Sequence, residues 1–233
     1  MEMKNKITTV LILLACLFMS GSAFYEAHCG EAGDGESVVC VADEGGIVEK
    51  PKIAITFDDG PDPVYTEKLL DGLKARGAKA SFFLMGKQAE AYPELVLRMQ
   101  KEGHLIGNHT YSHLQLKDDD KEAFKAEVKK TNELLFQITG QEVEYVRPPY
   151  GSWDKNFESE FMMIPVLWTI DPKDWCSDNV AEIVQKVTDE AEENAIILMH
   201  DEYESSVEAA LEIVDTLQKQ GYEFVTVEEL FLD

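Results

Sequence analysis

Two adjacent carboxylates, Asp58 and Asp59, follow directly after an apolar run at residues 52–57 and precede the turn residues Gly60 and Pro61. Like charges side by side repel each other, so the pair does not stabilise a fold by itself. One carboxylate can bind a cation while the other holds or removes a proton. The alternative interpretation is a solvated turn that contains two aspartates.

Two of the five histidines of the chain, His109 and His113, are four residues apart. They would share one face if the segment were helical. Neutral imidazoles at that spacing suit a zinc ion. The alternative is a pair of ordinary packed or surface histidines, because this spacing alone is a weak signal.

Two further candidates are Arg147 and His200. Arg147 precedes Pro148 and Pro149, which hold the backbone extended and present the guanidinium rigidly, and arginine is suited to fixing a carboxylate through paired hydrogen bonds. His200 follows an apolar run at residues 195–199, a position suited to a general acid or base. A surface arginine and a packed core histidine are the alternatives.

The elements that position these residues alternate regularly along the chain. Short apolar runs predict about seven strands, and amphipathic segments between them predict helices. This order predicts a single α/β domain, a parallel sheet closed into a distorted (β/α) barrel with its helices outside. The predicted strands are residues 52–57, 80–84, 104–107, 143–146, 165–170, 195–199 and 222–225, and the predicted helices are residues 64–76, 88–102, 118–139, 179–194 and 205–220.

The candidate side chains all follow predicted strands, where the active sites of parallel α/β folds lie. Metal-type ligands, a spare carboxylate, a fixed arginine and a strand-end histidine together indicate a metal-assisted hydrolase.

Five ordered segments resemble the motifs of the polysaccharide deacetylases, which are carbohydrate esterase family four. They are TFDDGP at residues 56–61, HTYSH at 109–113, RPPYG at 147–151, DPKDW at 171–175 and LMH at 198–200. The closing segment GYEFVTVEEL, residues 221–230, is also similar. The resemblance covers residues 50–232 and implies the distorted barrel of parallel strands.

The resemblance also implies a metal site and a base. Asp59, His109 and His113 would hold a divalent metal, zinc above all, with cobalt or another divalent cation as alternatives. Asp58 would be the catalytic base, and Arg147 would orient it. Three protein ligands leave zinc an open position, as a catalytic site requires.

The remaining motif positions have implied roles around the substrate. The backbone N–H of Tyr150 would help to stabilise the oxyanion, and Tyr150 would contact the substrate. Asp174 would tune His200, the catalytic acid. Trp175 and Leu198 would form the walls of the pocket for the acetyl methyl group.

The implied reaction removes N-acetyl groups from an extracellular polysaccharide and releases acetate. Peptidoglycan N-acetylglucosamine is the expected substrate. N-acetylmuramic acid, chitooligosaccharide, exopolysaccharide and O-acetylated xylan are alternatives within the same class. A cell-wall binding protein with an inactive site is the alternative of a different class, although this sequence retains every expected ligand and the base.

The N-terminal segment predicts export. Lys4 and Lys6 precede an uncharged apolar run at residues 7–19, which is too short for a comfortable membrane span. Residues 1–23 therefore read as a signal peptide, cleaved after small residues at 21–23, or as a lipoprotein signal with Cys16 as the lipidated residue. Residues 24–50 read as an acidic, glycine-containing tether, and residues 51–233 as the catalytic domain.

Charge limits the partners of the chain. Lys and Arg number 21 against 45 Asp and Glu, a formal net charge of −24. Such a surface excludes general binding of nucleic acid, and it leaves membrane contact only to the N-terminal signal or a lipid anchor. We expect a monomer. Cys29 and Cys40 could pair in an oxidising compartment, and Cys176 has no assigned role.

Overall fold

The computed structural model describes residues 50–117, 120–153 and 162–232. Its centre is a seven-stranded sheet in the order β5-β4-β3-β2-β1-β6, with β7 beside the start of β1. Every strand pair is parallel, which confirms the predicted parallel α/β fold. The strands are β1 Lys52–Asp58, β2 Ser81–Leu84, β3 Leu105–Asn108, β4 Tyr145–Val146, β5 Ile164–Pro165, β6 Ile196–His200 and β7 Glu223–Phe224.

The sheet is curled into a distorted half-barrel, and residues 164–170 pair with strands toward both of its ends. The strand β5 pairs with β4, while Ile170, five residues beyond β5, bridges to Ile197 on β6. The prediction of one strand over residues 165–170 is wrong. The guanidinium of Arg147 donates to the carbonyls of Val166 and Leu167, at 3.0 Å and 3.3 Å, so a side chain bonds to these carbonyls in place of a neighbouring strand.

Seven helices of the described residues accompany the strands: α1 Tyr65–Arg76, α2 Gly86–Ala91, α3 Pro93–Lys101, α4 Lys121–Thr139, α5 Val180–Glu190, α6 Glu204–Lys219 and α7 Val227–Leu232. The single helix predicted over residues 88–102 is wrong, because Tyr92 leaves the helical region ahead of Pro93. The helix α7 was not predicted, since six residues hold too little periodicity.

Side chains of β1 alternate between the two sides of the sheet. Ile53 and Ile55 join the large core between the sheet and the outer helices. Ala54 belongs to a smaller cluster inside the curl of the sheet. The same alternation places Thr56 and Asp58 on that inner side, at the carboxyl end of the strand, where the predicted chemistry lies.

The inner cluster fills the barrel below the site. It consists of Ala54, Phe83, Tyr145, Val166, Ile196 and Val227. Val227 comes from α7, so this short helix packs a side chain into the barrel interior. The helix thereby supports the strands whose opposite ends carry the candidate site.

The predicted signal, residues 24–49 of the predicted tether, Cys16, Cys29 and Cys40 lie outside the described residues. No helix in the described part of the chain is both long and apolar enough to cross a bilayer. Cys176 is exposed and unpaired there.

Replacing Val227 with alanine should lower the free energy of unfolding by about 1–3 kcal/mol, because a fully buried branched side chain leaves the barrel interior. Leu232→Ala removes a larger side chain from the same helix at a position 79% exposed, and should change stability by less than about 0.5 kcal/mol. Urea unfolding of both variants measures this, and equal effects would contradict the role given to α7.

Candidate active site

The two adjacent aspartates face different partners. Asp58 is the last residue of β1 and is buried on the inner side of the sheet. Asp59 has a φ of 72°, a left-handed backbone that is uncommon outside glycine and that ends the strand. As a result Asp58 lies against Arg147, while Asp59 lies between two histidines.

Arg147 is fully buried and holds Asp58 through one charged hydrogen bond. Its Nη1 donates to Asp58 Oδ1 at 2.8 Å and to Thr56 Oγ1 at 2.6 Å. The guanidinium carbon lies 4.1 Å from the centre of the Phe83 ring, which adds a cation–π contact. A charge-assisted bond in this buried setting fixes the direction of the carboxylate.

Asp59, His109 and His113 form a cluster of the kind that holds a cation, with one ligand atom from each within 4.8 Å of the others. Asp59 Oδ1 lies 3.4 Å from the Nε2 atom of each histidine. Ligands at about 2.0–2.1 Å from a tetrahedral zinc lie about 3.3–3.4 Å from each other. Asp59 Oδ1 is also buried, with no hydrogen-bond partner among the described residues. The donor set therefore fits a divalent cation.

His109 is prepared as a ligand by the backbone of Arg147. Its Nδ1 donates to the Arg147 carbonyl at 2.6 Å, which leaves the lone pair of Nε2 facing Asp59. Burial lowers the pKa of His109 to about 4. Burial also lowers the pKa of His113. Both imidazoles are therefore neutral near pH 7, as metal ligation requires.

Burial raises the pKa of Asp59 to about 7, and repulsion from Asp58 adds to this effect while His200 offsets part of it. The raised pKa means that the surrounding residues supply too little positive charge to keep the Asp59 carboxylate fully ionised. A bound dication would supply that charge and favour the ionised ligand.

The segment that carries both histidines is a loop, so the helical arrangement considered for it is wrong. Thr110 and His113 both have a φ of 63°, in the left-handed region that a helix excludes. The structure thus brings the two side chains together through loop geometry, with ring centres 5.0 Å apart.

His200 is oriented by Asp174. Asp174 accepts from the His200 backbone N–H at 2.8 Å and pairs with Nδ1 at 3.0 Å, which turns Nε2 toward Asp59 Oδ2 at 3.9 Å. Burial lowers the pKa of His200, but the hydrogen bond and charge of Asp174, together with Asp58 and Asp59, outweigh it and raise the pKa to about 9. A protonated histidine can donate a proton to a leaving group.

The three predicted substrate contacts differ in exposure, and Tyr150 is the one with a ring contact to the cluster among the described residues. The Tyr150 ring is 67% exposed and its centre lies 4.7 Å from that of His113. Trp175 follows Asp174 in a single 3₁₀ turn, Asp174–Cys176, and is 53% exposed. Leu198 is almost fully buried on the inner side of β6, two residues before His200. The first two side chains can meet a substrate directly, while Leu198 lies deeper.

Two residues with structural roles at the site were missed by the sequence reasoning. Thr56 accepts from Arg147 and donates to the Ile197 carbonyl at 2.7 Å, which links β1 to β6. Asp201 is fully buried and accepts from the Thr66 hydroxyl, and burial raises the pKa of Asp201 to about 7. The period-two pattern of β1 could have identified Thr56, because it shares the face of Asp58.

The fold and the site together define a parallel (β/α) half-barrel with a metal-type cluster at its strand ends. The profile described as polysaccharide deacetylase matches residues 45–162, just over half of the chain. The chain belongs to the polysaccharide deacetylase family, which confirms the resemblance read from the motifs.

Several relatives are known. The chain is 42% identical over 179 residues to the peptidoglycan-N-acetylmuramic acid deacetylase PdaC of Bacillus subtilis, covering 76% of this chain but only 38% of PdaC. The solved PdaC structure superposes with a TM-score of 0.74 at 39% identity, covering 78% of this chain and 90% of the solved one. A peptidoglycan-N-acetylglucosamine deacetylase of Bacillus cereus is 37% identical over 195 residues, covering 80% of this chain and 70% of the relative.

A second solved relative has the same fold but is described differently. The protein BA3943 of Bacillus anthracis, described as a CE4 family pseudoenzyme, has a TM-score of 0.72 at 28% identity and covers 78% of this chain and 65% of its own. Activity therefore has to be argued from the site, because the fold is shared with a protein described as a pseudoenzyme.

In the metal-free protein, the ring of His200 should titrate near pH 9, well above an ordinary histidine. Asp174→Asn should lower that pKa because the charge of the partner is lost while the burial remains. NMR titration of the histidine ring protons measures this. His104, whose pKa burial lowers to about 4, is the internal control and should be unaffected. An unchanged His200 titration in the variant would contradict the assigned pairing.

Proposed function

We propose that this chain is an exported, zinc-dependent deacetylase that removes N-acetyl groups from peptidoglycan N-acetylglucosamine and releases acetate. The observation that carries the proposal is the meeting of three groups at one set of strand ends. These are the Asp59–His109–His113 cluster, the Asp58–Arg147 pair and the His200–Asp174 pair. Together they provide ligands, a base and an acid.

A bound zinc ion would act as a Lewis acid: it would lower the pKa of a bound water to about 7 and polarise the acetamide carbonyl. The donor set of one carboxylate and two imidazoles supports zinc, and cobalt or another divalent cation is the alternative. Asp59, His109 and His113 would hold the ion.

The protein's own groups would move the protons. Asp58, aimed by Arg147, has its Oδ2 3.8 Å from His109 Nε2 and so lies beside the cluster, where it can remove a proton from water. His200 Nε2, 3.9 Å from Asp59 Oδ2, can protonate the sugar nitrogen as acetate leaves. The Tyr150 N–H would stabilise the oxyanion. Trp175 and Leu198 would enclose the acetyl methyl group.

The sugar is the finer part of the proposal. The Bacillus cereus relative named for N-acetylglucosamine supports that residue as substrate. N-acetylmuramic acid is the second candidate, favoured by the 42% identity to PdaC. The signal-like segment at residues 1–23 supports export. An exported enzyme would meet peptidoglycan, because peptidoglycan lies outside the cytoplasm. Every proposed site residue belongs to one chain, so the proposal needs no second subunit.

Acetate release from a panel of substrates tests the function. The zinc-loaded protein should release acetate from peptidoglycan, whereas protein treated with a chelator should not. Mass spectrometry of digested peptidoglycan then assigns the free amine to glucosamine or to muramic acid. Chitin oligomers and acetylated xylan complete the panel. No release from any substrate, with zinc bound, would favour the wall-binding protein without activity.

Asp58→Asn and Asp59→Asn should separate the base from the ligand. Asp58→Asn should keep the zinc and lose the general-base contribution, about 10²–10⁴-fold in kcat with little change in KM. Asp59→Asn should lose zinc, because the charged carboxylate ligand becomes a neutral amide. Kinetics and metal content are measured side by side. Near-normal kcat in Asp58→Asn, or zinc lost from it but kept by Asp59→Asn, would require the roles to be exchanged or discarded.

A further inference from the structure

The loop at residues 109–113, hereafter the ligand loop, carries two of the three proposed metal ligands in an unfavourable backbone conformation. Thr110 and His113 are both left-handed, and neither is glycine. Such conformations persist only where the surroundings hold them. The position of His113 therefore depends on whatever fixes the loop between the two histidines.

Glu127 on α4 binds the middle of the ligand loop through both of its carboxylate oxygens. Its Oε2 accepts from the backbone N–H of Tyr111 at 3.1 Å and of Ser112 at 2.8 Å. Its Oε1 accepts from the Ser112 hydroxyl at 2.6 Å. One side chain thus satisfies the two consecutive peptide N–H groups that directly precede His113.

The other side of the loop is held by α2. The Gly86 N–H donates to the Thr110 carbonyl at 2.9 Å, and the Lys87 N–H donates to the Tyr111 carbonyl at 3.0 Å. A Cβ at Gly86 would lie 2.5 Å from the Tyr111 ring, so glycine permits this close approach. The carbonyl groups of Thr110 and Tyr111 accept from α2, and the N–H of Thr110 donates to Asn108 Oδ1 at 2.7 Å. The N–H groups of Tyr111 and Ser112 donate to Glu127, so α4 provides the bonds nearest to His113.

We propose that Glu127 is a positioning residue for the metal centre, which holds the ligand loop so that His113 is preorganised to bind the cation. This inference rests on the proposed function, since it assumes that Asp59, His109 and His113 bind a metal. Groups that orient metal ligands without touching the metal typically change affinity about 10–100-fold when they are removed.

Glu127→Ala should therefore weaken zinc binding by about 10–100-fold. Glu127→Gln should recover most of this loss, because its amide oxygen can accept from both N–H groups and its NH₂ can donate to the Ser112 hydroxyl. The measurement is the dissociation constant of Zn²⁺ for the metal-free full chain, by titration against a competing chelator. It requires no substrate and no turnover.

Two control variants on α4 separate this role from a general effect on the helix. Glu133→Ala removes the same charge from an exposed position, where the side chain pairs with Lys129 at 3.8 Å. Leu135→Ala opens the core at a fully buried position and lowers thermal stability without touching the ligand loop. Both should leave the zinc affinity within about threefold of the wild type, as additivity of distant sites predicts.

The outcomes are distinguishable. Wild-type protein that binds no zinc would overturn the proposed metal centre itself. Tight binding by the wild type with equal affinity in Glu127→Ala would overturn the positioning role alone. A Glu127→Gln protein as weak as Glu127→Ala would also overturn it, because charge rather than hydrogen bonding would then be responsible. A loss in Leu135→Ala equal to that in Glu127→Ala would reduce the effect to fold stability.

Discussion

The buried guanidinium of Arg147 is the constraint on which the rest of the site depends. A charge inside a protein costs several kcal/mol unless it is paired and its N–H groups are bonded. Here Asp58 supplies the charge, and Thr56, with the carbonyls of Val166 and Leu167, accepts the remaining bonds. The barrel interior is therefore arranged around one side chain. Its hydrogen bonds orient the proposed base, Asp58, and they also occupy the carbonyls of Val166 and Leu167, where the strand β5 has ended.

The same residue connects the base to the metal-type cluster. Its side chain holds Asp58 while its carbonyl accepts from His109, so a single backbone position sets the distance between the two. The register of β1 and β6 adds the acid, because Asp58 pairs directly with His200 across the two strands. Three proposed functions thus follow from one arginine and one strand pair. Both histidines of the cluster, His109 and His113, lie on the ligand loop, and that loop is bonded from two helices.

Much of this could be predicted from the sequence, because residue types at the ends of apolar runs carry the signal. The parallel sheet and the meeting of Asp58, Asp59, His109 and His113 followed from that pattern. Features set by tertiary bonds could not be predicted. The strand over residues 165–170 is apolar enough to form, yet the guanidinium of Arg147 takes its carbonyls. The spacing of the two histidines resembled a helix, whereas backbone bonds to Glu127 and α2 stabilise a left-handed loop that spacing does not encode.

His109 and His200 have different proposed roles, and the hydrogen-bond partner of each Nδ1 accounts for the difference. His109 and His200 are both largely buried, and burial lowers the pKa of each. The Nδ1 of His109 meets a neutral carbonyl, so burial prevails and the pKa falls to about 4. The Nδ1 of His200 meets the carboxylate of Asp174, so the charge prevails and the pKa rises to about 9. Environments that separate the pKa values of neighbouring groups assign them to different tasks. The neutral ring is suited to bind a cation and the protonated ring to give up a proton, so the partner of each Nδ1 decides whether the histidine is a ligand or an acid.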